Sequence, residues 1–220
     1  LVERLRARYP LTVEQFLAMG ALDHLERVAR LEQGWERILR GEFDAGVHQL
    51  VPALEPPPAA QRFDLIYAGG GLGLLHAATM AARHGRRVLL FDRSEVGCAH
   101  REWNISREEL RALVDGGLVS WDELAGVVMR EYRDGLVRFH SRSGSDVPPA
   151  DLWMPEVLNV ALDAGALLRL MRRKLEAAGG VVLSGRAFRC VRATAAGPVS
   201  VEVELENLAT GAVERYGARL

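Results

Sequence analysis

The segment from Asp64 to Asp92, DLIYAGGGLGLLHAATMAARHGRRVLLFD, limits this chain more than any other stretch. A short apolar run leads into a glycine cluster, a small-residue helix pattern, a second apolar run and an acid. That order suits a βαβ unit that holds a nucleotide. Gly69 can turn the chain sharply off the first strand, and Gly71 lets the backbone approach a pyrophosphate with no Cβ in the way. A helix opening near Leu72 aims its free N–H groups and positive dipole end at the same anion. Asp92 falls 21 residues after Gly71, at the end of the second strand, where a carboxylate accepts hydrogen bonds from ribose hydroxyls.

The pattern G-x-G-x-x-G asks for a third glycine at position 74, whereas this chain has Leu74, with Gly73 one place early. A glycine cluster by itself can mark a strand–helix turn that binds nothing. Here it follows a strand pattern, opens a helix and ends in an acid at the expected distance, and that context favours nucleotide binding.

Composition removes several other classes. Apolar content of 49% and charged content of 26% are those of an ordinary globular protein, and a formal charge of −1 gives no electrostatic case for nucleic acid or an anionic membrane. The two cysteines, Cys98 and Cys190, make neither a disulfide framework nor a metal cluster and fit a reducing cytoplasm. No uninterrupted apolar run has the length of a membrane span, and no secretory signal opens the chain. Lys174 is the only lysine, a compositional bias rather than a site. The chain starts at Leu1 and stops at Leu220 as a strand-like segment finishes, so a fragment is expected.

Residues 1–48 read as a helical N-terminal extension. Thr12 with Gln15 suggests a capping box, and Leu25, Val28, Leu31, Trp35 and Ile38 recur at helical spacing, with Trp35 expected in a core. Residues 49–61 are proline-rich and read as a semi-rigid linker. The nucleotide-binding domain then occupies 62–220 and is incomplete at its C-terminus. Within it, Ser106 with Glu109 and Ser120 with Glu123 predict two capped helices. Asp134-Gly135, between Val127–Arg133 and Leu136–Ser141, predicts a hairpin turn. A strand over 157–162 (VLNVAL) should lead into a helix over 164–178, ended by Gly179-Gly180. VVLSG, FRCVRA and the alternating run Val199, Val201, Val203, Leu205 complete a β-meander that turns at Thr210-Gly211. The fold class is α/β: a Rossmann-like domain, βαβ plus meander, preceded by a small helical segment. This order suits a flavoprotein better than a nicotinamide dehydrogenase, which would continue alternating βαβα.

Three segments together, YAGGGLGLLHAA (67–78), FDRSEVGCAHREWNISREEL (91–110) and LVSWDELAGVV (118–128), resemble the CruA/CruP-type lycopene cyclases. These belong to an FAD-dependent flavoprotein superfamily with geranylgeranyl reductases and aromatic-ring hydroxylases. The resemblance runs to about residue 183, and its most specific piece is Arg101–Ser106 (REWNIS). In that family the glycine loop also carries Gly at the place of Gly73 and an aliphatic residue at that of Leu74.

The resemblance implies FAD as the nucleotide, with the loop Gly69, Gly70, Gly71, Leu72, Gly73 and Leu74 at the pyrophosphate and Asp92 at the adenosine ribose. It places Arg93 where a basic group can cover the adenine or a phosphate, and makes Arg101 and Asn104 candidates for cofactor contact. Arg101 and Glu102 can equally brace the loop, and Trp103 can anchor it in the core. His76 reads as a packed helix residue and His100 as a solvated loop residue. His84 and His140 lack metal-ligand spacing, and Cys98 reads as incidental. The flavin-contacting arginine that related proteins often place before the long helix is missing here, where Asn159 stands instead. No catalytic residue is legible.

The activity implied is lycopene β-cyclisation. A general acid protonates the terminal double bond of a linear carotene, the neighbouring double bond closes on the cation, and proton loss leaves the ring. NADPH would be the reductant of the flavin, and the protein would be cytoplasmic with peripheral membrane contact. The alternatives are an FAD-dependent oxidoreductase, such as a prenyl or carotenoid reductase or a hydroxylase, and a catalytically silent FAD-binding paralogue. A flavin-dependent halogenase is disfavoured, because there is no W-x-W-x-I-P segment and no lysine near the glycine loop.

Overall fold

Val88, Leu89, Leu90 and Phe91 are all buried, as a strand covered on both faces must be. In the computed structural model, which describes residues 2–42, 47–52, 55, 57–99, 103–195 and 200–219, they form the middle of a parallel sheet. Two compact units are present, residues 1–47 and 48–220.

The first unit contains α1 (Val2–Arg8), α2 (Pro10–Ala18) and α3 (Leu22–Leu39). The expected capping box at Thr12 does not form. Pro10, whose fixed φ suits a first helical residue, starts α2 earlier and puts Thr12 inside it. Among the described residues of this unit only Val13, Leu25 and Ala29 are buried, while Val28, Leu31, Trp35 and Ile38 are exposed. The helical spacing is real, but the core placement expected for Trp35 is not found.

In the second unit β1 (Val47–Leu50) lies at the edge of a mixed five-stranded sheet. Val51 N donates to Ala193 O and Thr194 Oγ1 to Pro52 O. The start of the expected linker is therefore tied into the sheet, because its backbone groups complete an otherwise open edge. After a 3₁₀ turn at Ala59–Gln61 come β2 (Arg62–Phe63), β3 (Leu65–Ala68), α4 (Gly73–His84) and β4 (Val88–Phe91). Next follow β5 (Trp103–Ile105), α5 (Arg107–Asp115), α6 (Trp121–Ala125) and β6 (Val128–Glu131). The ribbon β7 (Asp134–Phe139) and β8 (Ala150–Pro155) precedes β9 (Val160–Leu162) and α7 (Ala164–Ala177). The chain finishes with β10 (Val181–Leu183), β11 (Arg186–Ala193), β12 (Val201–Asn207) and β13 (Val213–Ala218).

Strands β3, β4 and β10 form a parallel sheet in the order β10-β4-β3. On one face lie α4 and α7, which pack on each other through Ala77, Ala78 and Ala81 of α4 and Leu167, Leu168, Met171 and Leu175 of α7. Alanines along α4 allow the close approach. Against Phe91 and its neighbours Ile66 and Leu183 packs the sheet β1-β11-β12-β13-β2, through Val203, Leu205, Val191, Val201 and Tyr216. Each fully buried leucine in these layers is worth ~1.5–3 kcal/mol over leaving it in water. Strands β5, β9 and β6 form a separate antiparallel sheet.

Glu109 and Glu123 accept from the N–H groups of Ser106 and Ser120, both at 2.9 Å, so the two expected helix starts are present. Helix α7 begins on Asp163, whose Oδ1 accepts from Ala166 N, and is followed by Gly179 at φ +81°.

Two strand expectations fail. Asp134-Gly135 is not a turn but the start of β7, which pairs with β8, while β6 pairs with β9. Val160 and Leu162 are fully buried, and only pairing with β6 places them beside the half-buried Val128. The strand expected over 157–162 is halved, because Glu156 and Leu158 adopt positive φ, of 59° and 51°. The resulting turn is held by Leu158 N donating to Ser106 Oγ and by Tyr132 donating its hydroxyl to Leu158 O.

Candidate functional site

The C-terminal ends of parallel strands gather ligands because loops and helix N-termini converge there. In this chain Gly69 leaves β3 at φ +103°, a conformation that a side chain would strain, and its N–H donates to Phe91 O. Gly70 lies buried beneath the loop. A Cβ there would come within 3.2 Å of Val96 and 3.4 Å of Asp92. Gly71 and Gly73 are different, for a Cβ at either would meet no protein atom within 4 Å. The first turn of α4 closes with Leu74 N to Gly71 O and Leu75 N to Leu72 O. Among the described residues, the N–H groups of Gly71, Leu72 and Gly73 find no acceptor. The result is open space facing three unspent donors at the positive end of a helix.

Asp92 closes one side. Its Oδ2 accepts from Gly70 N at 2.6 Å and its Oδ1 from Ser94 N at 2.7 Å. An ionised carboxylate has about four acceptor positions, so two remain for hydroxyl groups. The loop that follows is fixed from below. Val96 N donates to Ser184 Oγ, and Arg172 of α7 donates to Val96 O at 2.9 Å and to Glu95 at 2.5 Å. The hydrogen bond from Arg172 holds the Glu95 carboxyl below the usual carboxylate range.

Opposite Asp92, β11 supplies Arg186, Ala187 and Phe188. With Ala68, Gly69, Phe91 and Arg93 they line a cleft of about 360 Å³. Arg186 is held by Glu214 and by Ser184 O, at 3.0 Å each. The Glu214 carboxyl stays below the ordinary range although burial opposes this, because Arg186, Tyr216 and Asn207 donate to it. Burial and that same bond push the Tyr216 phenol up to about 12. A second pocket of about 470 Å³ begins at Leu72 and is walled by Leu75, Trp103, Ile105, Leu113 and Leu158.

The expected site residues therefore divide. Gly69, Asp92 and Arg93 share the first cleft, and Gly71, Leu72 and Gly73 form the adjoining helix N-terminus. Gly70 has spent its N–H on Asp92, and Leu74 is fully buried in the core, so each supports the loop from behind and presents nothing to a ligand. Asn104 lines the second pocket, as does Trp103. Arg101, with His100 and Glu102, lies outside the described residues. His76 is exposed, not packed inside, and its Nδ1 lies 2.8 Å from the Tyr67 hydroxyl. Cys98 is exposed. Asn159 Oδ1 accepts from Arg107 N and so braces α5. No metal-binding cluster occurs among the described residues, and no described helix is long and apolar enough to cross a membrane.

Sequence reasoning missed Arg186, Ala187 and Phe188. The signal available was Ser184-Gly185, a turn leaving the third parallel strand on the side where Asp92 also emerges.

No protein-family model matches the sequence, and comparison with curated proteins found no match. Solved structures do match. The flavin-dependent monooxygenase PieE, in complex with FAD and substrate, superposes with a TM-score of 0.54 at 16% identity, over 77% of this chain and 30% of that one. The myxobacterial chondrochloren halogenase CndH, an FAD-dependent halogenase, gives 0.51 at 23% identity, over 73% of this chain and 36% of that one. A geranylgeranyl bacteriochlorophyll reductase-like protein from Thermoplasma acidophilum gives 0.51 at 18%, over 73% and 38%. The chain thus spans about a third of each of these structures, and at these identities the likeness establishes a shared fold.

Proposed function

We propose that this chain is the FAD-binding portion of a flavin-dependent enzyme acting on a hydrophobic small molecule. The open cradle at Gly71 and Gly73, facing three unpaired N–H groups and flanked by Asp92, carries the reading. It fits a pyrophosphate on α4 with the adjoining ribose on Asp92. The shared fold supports FAD as the nucleotide, since PieE holds FAD and the halogenase is FAD-dependent.

FAD, once bound and reduced, would supply hydride or negative charge beside the substrate. The chain's own part is to hold the nucleotide through the N–H groups of Gly71–Gly73 and the Asp92 carboxylate, and to exclude water with Leu72, Leu75, Trp103 and Ile105. Replacing water by fixed dipoles in such a site strengthens every charge interaction within it.

The finer reading is lycopene β-cyclisation with NADPH as reductant, by a cytoplasmic protein that meets its linear carotene peripherally at a membrane. It rests on the resemblance in residues 67–78, 91–110 and 118–128. An oxidoreductase, such as a prenyl or carotenoid reductase or a hydroxylase, is the second reading. It is favoured by the fold shared with a monooxygenase and a reductase-like protein. Turnover separates the two: a cyclase leaves NADPH unspent after flavin reduction, whereas a reductase or hydroxylase consumes it stoichiometrically.

Binding itself is tested by Gly71→Val in the protein expressed from its complete coding sequence. A Cβ there meets no atom of the described residues within 4 Å, so loss of bound flavin absorbance would report the ligand's contact. Gly34→Val, in α3 and equally unobstructed, should retain flavin. Retention of flavin by Gly71→Val would refute the pyrophosphate placement.

A further inference from the structure

The edge of the first cleft depends on one irregularity in β11. Pairing with β12 runs Arg186↔Asn207, Ala187↔Glu206 and Phe188↔Leu205, then resumes at Cys190↔Glu204 and Val191↔Val203. Arg189 is therefore an extra residue, a β-bulge. Side chains alternate between the two faces of a strand, and one inserted residue reverses that alternation on one side of it. Beyond the bulge, Cys190 and Arg192 stand on the face of Glu202 and Glu204, and Arg192 donates to both carboxylates. In an unbroken strand Arg186 and Phe188 would share that acidic face. The bulge moves them to the opposite face, with Leu205, Glu214 and Tyr216. Arg189 itself stays among the acids, donating to Glu206 at 2.8 Å.

The consequence is an aromatic ring in the wall of the cleft that Asp92 and Arg93 also line. Phe188 remains 43% exposed although it stands opposite the fully buried Leu205. It lines the same cleft as Asp92 and Arg93, and Arg93 has no side-chain partner among the described residues. A flat aromatic face and a guanidinium, beside a carboxylate suited to a ribose diol, make a site for a planar heterocycle attached to that ribose. We propose that Phe188 is the stacking wall for the adenine base of the bound nucleotide, aimed into the cleft by the bulge at Arg189. This rests on the reading of the cleft as a nucleotide site.

ADP, which carries the base, ribose and pyrophosphate without the flavin, is the probe. Its affinity is measured by calorimetry in the protein expressed from its complete coding sequence. Phe188→Ala should weaken ADP about tenfold or more, and Phe188→Trp should keep it within about threefold of the parent, because one aromatic platform replaces another. The indole introduced by Phe188→Trp should also be quenched by ADP, beyond any change in the parent. Deleting Arg189 from that variant joins the pairs at 188 and 190 into an unbroken ladder, leaves the ring at 188 on the cleft face, and should preserve the extra quenching. Unchanged ADP affinity in Phe188→Ala, or equal loss in Phe188→Ala and Phe188→Trp, overturns the stacking role. Extra quenching lost on deletion of Arg189, with the fold intact, overturns the assignment of Arg189 as the inserted residue. Failure of the parent to bind either ADP or FAD, or ADP binding indifferent to both Asp92→Ala and Gly71→Val, overturns the nucleotide site itself.

Discussion

Strands β3, β4 and β10, LIYA, VLLF and VVL, are apolar throughout, while β7 and β8, DGLVRF and ADLWMP, mix large apolar residues with charged ones. Their situations are opposite. Every residue of β4 is buried, whereas Leu136, Val137 and Phe139 of β7 and Leu152 and Trp153 of β8 are exposed. The parallel sheet is stabilised by layers on both its faces. The ribbon is stabilised by its own ladder and by the Arg138–Asp151 pair, joined by two bonds of 2.6 and 2.8 Å. Apolar character alone therefore does not decide which strand becomes core. The layers brought against it do, and here they come from α4, α7 and the meander.

Truncation should expose that contrast most strongly. Leu90→Ala, in the middle of the buried sheet, should cost ~2–5 kcal/mol of stability, while Leu136→Ala on the ribbon should stay within ~0.5 kcal/mol. Urea unfolding midpoints measure both, and equal losses would mean that the ribbon is packed as tightly as the sheet.

The two regions also offer a matched pair of carboxylates, each accepting two hydrogen bonds. Asp92→Ala leaves the buried Gly70 N–H unpaired, and should cost ~1–3 kcal/mol in folding before any ligand is added. Asp151→Ala removes only an exposed ion pair that solvent screens, and should cost less. Comparable losses would show that Asp92 has no special structural duty.

The smallest effect concerns pH. Tyr216, on the face of the meander that meets the parallel sheet, keeps its proton in the folded protein up to about 12, against an ordinary value of 10.0. The folded state thus holds the proton more tightly than the unfolded chain. Its contribution to stability is complete below pH 10 and is lost as pH rises from there through about 12. Tyr216→Phe should flatten that part of an unfolding-versus-pH curve, and the ribbon, with no such group, should show no matching change.

What could be read from sequence was what is encoded locally. The glycine spacing, the Ser106 and Ser120 helix starts, the Gly179-Gly180 end of α7 and the acid at position 92 are each settled within a few residues or one βαβ unit. What could not be read was set at a distance. Asp134-Gly135 has turn chemistry, yet the partner of β7 arrives only at Ala150, after a polar loop that carries no pairing signal. The extended stripe over Leu31 and Trp35 has the right period for a buried face, but periodicity does not supply the layer that would bury it. Arg186 and Phe188 escaped notice for a third reason. A single inserted residue reverses the two faces of a strand, and nothing in FRCVRA marks Arg189 as the extra one.

The clamp on the loop after β4 sets an order of events during folding. Val96 is bound by Arg172 and by Ser184, partners 76 and 88 residues further along the chain. The glycine turn, α4 and β4 can assemble from one short stretch, so the floor of the cleft is a product of nearby contacts. Its rim must wait until α7 and the end of β10 have left the ribosome and docked, since contacts between distant residues carry a larger entropic cost and form late. A chain emerging residue by residue would thus hold an open, unshaped cleft while the 88 residues from Val96 to Ser184 are made, and the rim would take its final form only after them.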